Sequence, residues 1–242
     1  MLARAGNSVT GSEPLTAAFI HSPFLAPDTW RSVADAQERM GQRTQILDLR
    51  DALEAGGDFY GAFGGLAASR IVDRSVLIAH SGAGGIIPSI LQCASGRVQA
   101  VIFVDALLPH PSRSWMATVP YVLAERLRAR AKDGRAPPWP SWLPKNALAQ
   151  LLPDETMRRS LVEGAPAVPL AFLEEPAPDA PRWASCRAFA YLRLSSNYDA
   201  EADQARALGW PVDRYDGHHL SMMTEPAAIA TAIVALAARL AA

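Results

Sequence analysis

"SVLIAHSGAGGIIPSIL", residues 75–91, changes character twice. Ser75–His80 is an apolar run that suits a buried strand. Ser81 follows, and then glycines at 82, 84 and 85. Ile86 onward suits a helix, with Pro88 tolerated near its first turn. A strand, a tight glycine-rich turn and a helix form the local unit from which parallel α/β sheets are built.

Working outward, the same alternation appears on both sides. Strands are expected at 16–22 (TAAFIHS), 44–49 (TQILDL), 98–106 (VQAVIFVDA), 187–194 (RAFAYLRL) and 211–216 (PVDRYD). Helices are expected from about Asp28, read as an N-cap, and over 58–69, "AEADQARALG" and "PAAIATAIVALAARL". The nearly continuous apolar run at 98–106 suits a strand covered on both faces. Residues 107–186 break the rhythm. They are rich in proline and hold four of the six tryptophans, with short helical patterns and no evident strand. A stretch this long is expected to be an inserted helical lid. The expected layout is a core of 15–106 and 187–242, a lid of 107–186 and a partly disordered lead-in of 1–14. The fold class is α/β, a mostly parallel sheet flanked by helices.

Bulk properties narrow the function. The 242 residues carry 23 basic and 24 acidic side chains, for a formal charge of -1. That balance argues against a general nucleic-acid binder. The basic cluster "RLRARAKDGR" reads as a solvated helix face, since Glu125 and Asp133 accompany it. Cys93 and Cys186 are far apart, so neither a disulfide framework nor a zinc site is expected; Cys93 reads as core packing. No apolar run reaches membrane-spanning length, and the N-terminus lacks a signal-peptide core. A cytoplasmic location, no membrane association, no cofactor and no metal are the corresponding expectations. The reading leaves room for a homodimer.

A serine nucleophile on this architecture stands at a strand-to-helix elbow, usually spelled G-x-S-x-G. Here the spelling is Ala79-His80-Ser81-Gly82-Ala83. Histidine occurs only at 21, 80, 110, 218 and 219. His21 and His80 end strands, and His218 and His219 follow the last strand. The carboxyl ends of parallel strands share one rim, so these side chains are expected to gather there.

"FIHSPFLAPDTW", "LIAHSGAGG", "VIFVDALLP" and "GWPVDRYDGHHLSMMTEP" together make the chain resemble an α/β-hydrolase, of the small esterase and hydroxynitrile-lyase-like branch. The resemblance implies a Ser–His–acid triad with Ser81 as nucleophile. It favours His219, seven residues before Pro226, as the base, with His218 as the alternative. The acid usually follows the next-to-last strand, where Asn197 stands and Asp199 comes slightly late. Asp199 also reads as an N-cap. Asp105 lies at the other site, four residues before Pro109, as the acid does in the sister haloalkane dehalogenases. Asp105, then Asp199, then no functional acid is the order of preference.

The oxyanion hole departs from the pattern. Gly82 N–H is one expected donor. The second normally comes from the loop after the first strand, where Pro23 has no N–H to give. Ser22 and Phe24 are the candidate substitutes, with His21 and His80 expected near substrate. Trp115, Trp139, Trp142 and Trp183 could wall an apolar pocket. The leading expectation is therefore a serine hydrolase of a small to medium, largely apolar ester, thioester or lactone. The alternatives are a lyase, cyclase or isomerase using His219 as general base, and a small-molecule-binding module on the same fold.

Overall fold

The computed structural model describes residues 15–94, 96–179 and 188–241. Its strands are β1 (Thr16–Ile20), β2 (Arg43–Leu47), β3 (Ser75–His80), β4 (Val98–Val104), β5 (Arg135–Ala136), β6 (Val168–Pro169), β7 (Ala188–Arg193) and β8 (Val212–Arg214). Its α-helices are α1 (Arg31–Arg39), α2 (Phe59–Arg70), α3 (Ile87–Cys93), α4 (Tyr121–Arg130), α5 (Ala147–Leu151), α6 (Glu155–Gly164), α7 (Leu170–Glu174), α8 (Asp199–Ala207), α9 (Ser221–Thr224) and α10 (Pro226–Ala241).

Six strands form one all-parallel sheet in the order β2-β1-β3-β4-β7-β8. Alternation along each strand divides the core in two. Leu77, Ala79, Val101, Phe103, Phe189 and Tyr191 face the side covered by α2, α3 and α8. Val76, Ile78, Ile102, Val104, Ala190 and Leu192 face α1 and α10, through Trp30, Val33, Ile229, Ile233 and Leu236. Burial on both faces explains why these strands read as continuous apolar runs. The chain leaves β1 for β2 at one edge and returns to β3 on the other side of β1. Such a reversal opens a crevice at the carboxyl ends of the strands.

Several local expectations are corrected. Asp28 caps nothing; it is exposed in a 3-10 turn, Pro27–Trp30, which leads into α1. Asp58, by contrast, caps α2 by accepting from Gly61 N–H at 3.1 Å. Asp199 is not a cap: α8 starts on it, and Tyr198 in the cap position makes no side-chain capping bond. Cys93 is exposed rather than core. Residues 107–179 are not free of strand, since β5 and β6 form a two-residue antiparallel pair. Trp183, Cys186 and the lead-in at 1–14 lie outside the described residues.

The segment between β4 and β7 is anchored to the core by polar contacts. Glu175 accepts from Phe59 N–H (3.1 Å) and Tyr60 N–H (3.3 Å) at the start of α2. Arg135 pairs with Glu54. The basic cluster on α4 is exposed but has partners: Arg128 pairs with Glu125 and Glu174, while Arg126 and Arg130 donate to the carbonyls of Trp142 and Ser141, each at 2.9 Å.

Candidate active site

Ser81 stands where β3 turns into the 3-10 segment Ser81–Ile86 that leads into α3. Its φ is +57°, in the left-handed region that non-glycine residues rarely occupy. Such a backbone costs on the order of 1–3 kcal/mol and persists only where its surroundings impose it. They do so here. Leu107 N–H donates to Ser81 C=O at 3.1 Å. A Cβ on Gly84 would lie 1.7 Å from Leu107 O, and one on Gly82 would lie 2.9 Å from the Phe24 ring. The alanines at 79 and 83, in place of the usual glycines, are fully buried without disturbing the turn.

Asp105, just past β4, also has a left-handed backbone, with φ +44°. The Tyr191 hydroxyl clamps the next peptide, donating to Ala106 O (2.8 Å) and accepting from Ala106 N–H (3.0 Å). The Asp105 carboxylate is wholly buried and held by four donors. Oδ1 accepts from Leu194 N–H (2.8 Å) and Ser195 N–H (2.9 Å). Oδ2 accepts from Ser195 Oγ (2.7 Å) and His219 Nδ1 (2.8 Å). Asp105 thus meets His219, while Asp199 is occupied by Arg193 (2.7 Å) and Arg214 (2.9 Å). The bond to Asp105 places the His219 proton on Nδ1 and leaves Nε2 an acceptor with no hydrogen-bond partner among the described residues. Ser195 shares the carboxylate with His219 and so lies on the wrong side of the imidazole to surrender a proton to Nε2.

His218, the alternative base, is closed off. Its Nδ1 accepts from Leu220 N–H and its Nε2 donates to Thr224 Oγ1, each at 3.2 Å. His21 and His80, expected near substrate, both have buried rings. His21 donates from Nδ1 to Ser22 O (2.8 Å) and accepts at Nε2 from Leu49 N–H (2.9 Å), so the loop backbone consumes both nitrogens. Burial lowers its pKa. His80 is fully buried beneath the site and donates from Nε2 to His219 O at 3.0 Å. Burial, aided by the neighbouring His219, holds its pKa well below the ordinary histidine value. The Nε2 bond ties the ring to the loop that carries His219, while Nδ1 has no hydrogen-bond partner among the described residues. Strand alternation explains the direction: His80 continues the Val76–Ile78 side and meets Trp30 edge-on at 5.9 Å.

Ser22 and Phe24 do reach the elbow. Ser22 Oγ lies 3.3 Å from the point a Gly82 Cβ would occupy. It accepts from Phe24 N–H (3.4 Å), which leaves its own proton available. Ser22 O accepts from Leu25 N–H at 3.0 Å. Phe24 packs between Trp115 (4.9 Å) and Trp142 (5.0 Å), forming an apolar wall beside Gly82. Trp139 lies 6.1 Å from the His219 ring.

Tyr198 is the residue that sequence reasoning missed. Its ring lies parallel to that of His219, 6° apart with centroids at 5.1 Å, and its hydroxyl is 3.5 Å from Ser81 Oγ. Within the loop SSNYDA, the sequence points to the carboxylate of Asp199 and not to the phenol.

No group of side chains among the described residues could hold a metal ion, and no helix among them is long and apolar enough to cross a membrane. No protein-family model matches the chain, and no curated protein sequence does. Solved structures do match. An extracellular α/β-hydrolase from a Paenibacillus species, described as sharing structural and functional homology with tobacco salicylic acid binding protein 2, superimposes with a TM-score of 0.74. It is 19% identical, over 92% of this chain and 99% of that one. A pyrethroid hydrolase from Sphingobium faniae JZ-2 gives 0.67 at 19% identity, over 92% and 97%. Tomato methylketone synthase I, in complex with 2-tridecanone, gives 0.67 at 16% identity, over 94% and 99%. The parallel sheet, the strained serine elbow and these superpositions agree: the chain has the α/β-hydrolase fold.

Proposed function

We propose that the protein is a serine hydrolase acting on a small to medium, largely apolar ester, thioester or lactone. Ser81 is the nucleophile, His219 the base and Asp105 the acid. The observation that carries this reading is the 2.8 Å bond from His219 Nδ1 to Asp105, on a rim shared with the strained Ser81. In this reading His219 Nε2 takes the Ser81 proton as Oγ bonds to the acyl carbon and the carbonyl π electrons move onto oxygen. The carbon–leaving-group bond then breaks, and His219 returns the proton to the departing group. Water repeats the sequence on the acyl-enzyme and releases the acid. Asp105 fixes the tautomer and offsets the imidazolium charge.

Gly82 N–H and the Ser22 hydroxyl are the proposed oxyanion donors, the latter in place of the N–H that Pro23 lacks. Phe24, Trp115, Trp139 and Trp142 favour an apolar acyl or alcohol group. The cytoplasm is the proposed compartment, supported by two cysteines with no paired spacing. Hydrolysis of p-nitrophenyl butyrate by the wild type, lost in Ser81→Ala, supports the reading; equal turnover by both refutes it. Pro23 also supports a second reading, a lyase, cyclase or isomerase in which His219 acts as general base without a standard oxyanion. Under that reading Ser81→Ala leaves the native reaction largely intact.

A further inference from the structure

We propose that the Tyr198 hydroxyl donates a hydrogen bond to the departing oxygen of the substrate, a role separate from the oxyanion donors. The assignment rests on the hydrolase reading above and extends it to the leaving group.

Sheet order provides the first argument. β3, which leads into Ser81, lies between β1 and β4, and β7 lies beyond β4. Ser22 and Phe24 approach the serine from the β1 side, and Tyr198 approaches from the β7 side. One flank of the nucleophile therefore holds the Ser22 hydroxyl and the other holds a phenol. The second argument is position. A departing oxygen must sit between Ser81 Oγ and His219 Nε2 to collect the proton. The Tyr198 ring lies flat against His219, and its hydroxyl is 3.5 Å from Ser81 Oγ, so it borders that gap. The third is protonation state. Burial pushes the Tyr198 phenol above its ordinary range, with Asp105 acting in the same direction, so at neutral pH it is a donor and not a base.

The step balances without any further reactant. As the bond between the acyl carbon and the leaving oxygen breaks, its electron pair stays on that oxygen. His219 Nε2 delivers a proton there. Tyr198 keeps its own proton throughout and shares it with the oxygen while negative charge peaks.

A donor of this kind matters most for a poor leaving group. An alkoxide needs the help, whereas p-nitrophenolate departs unaided. The experiment compares Tyr198→Phe with wild type on the butyrate esters of p-nitrophenol, phenol and ethanol. Phenylalanine keeps the ring against His219 and removes only the oxygen. The expected loss in kcat/KM is roughly ten- to a hundredfold for the ethyl ester and less than about threefold for the p-nitrophenyl ester, with phenyl between. Tyr198→Leu, which removes the stacking ring as well, should depress all three. A Tyr198→Phe effect that is the same for all three esters, or absent, overturns the assignment and leaves a stacking role. Failure of the wild type to turn over any of the three overturns the hydrolase reading together with it.

Discussion

Replacing Asp105 with asparagine reverses the polarity of one bond and keeps the shape of the site. The structure dictates which way the new amide points. Two backbone N–H groups, of Leu194 and Ser195, aim at Oδ1 from 2.8 and 2.9 Å. An NH2 group cannot face them, so the amide oxygen takes that position and the NH2 takes the place of Oδ2. There it meets the Ser195 hydroxyl and His219 Nδ1. The hydroxyl can rotate and accept. His219 can satisfy the NH2 only by moving its proton from Nδ1 to Nε2. The wrong tautomer then carries its proton on Nε2 and cannot take one from Ser81. Loss of the correct tautomer costs about ten-thousandfold in kcat in a serine hydrolase, about 5 kcal/mol of barrier. Stability should change by less than about 1 kcal/mol, because every polar group keeps a partner. Turnover of p-nitrophenyl butyrate and urea unfolding measure the two quantities. Asp199→Asn is the control. That carboxylate bonds two arginines on a partly exposed surface, so its loss should cost less than about threefold in rate. An inactive Asp199→Asn, or an Asp105→Asn within tenfold of wild type, would refute the reasoning.

Ser22→Ala should lower kcat for p-nitrophenyl butyrate by roughly a hundred- to a thousandfold with little change in KM, the signature of a lost oxyanion donor; an unchanged kcat assigns the second donor elsewhere. Gly84→Ala should destabilise by about 1–3 kcal/mol or more in urea unfolding, since its Cβ would lie 1.7 Å from Leu107 O. Gly65→Ala, exposed on α2 with nothing within 4 Å, should instead gain up to about 1 kcal/mol, and equal effects at the two sites would contradict the packing argument. Acid should destabilise the fold through His80. Its folded pKa is depressed below the ordinary 6.5, so the unfolded chain binds the extra proton, and stability present above pH 6.5 is lost as pH falls. His80→Gln should flatten the slope of unfolding free energy below pH 6.5 by up to about 1.4 kcal/mol per pH unit, and an unaltered slope would contradict the assignment.

The central strands were legible because burial on both faces makes sequence and structure say the same thing: β3 is buried at every residue, and Val76–Ala79 within it reads as an apolar run. The elbow was legible because close packing against Leu107 and Phe24 restricts it to small residues. The resemblance favoured His219 through its distance to Pro226 and Asp105 through its place before Pro109, and a 2.8 Å bond joins the two. What remained hidden depends on the direction of a side chain. His21 and His80 sit at the rim in sequence, yet their rings turn into the backbone and the core. Ser195 and Tyr198 carry no motif, and their contacts arise only when the loop after β7 folds against Asp105 and His219. The segment after β4 resisted reading because its elements are short and proline-broken, and polar contacts such as Glu175 with α2 hold it to the core. Such contacts leave no periodicity to detect.

The most direct test of the central claim is to treat the protein with a fluorophosphonate and locate the adduct by peptide mass spectrometry. The account predicts one adduct, on Ser81, absent from Ser81→Ala and slowed about ten-thousandfold in Asp105→Asn. An adduct on Ser195, or undiminished labelling of the Ser81→Ala protein, would contradict it.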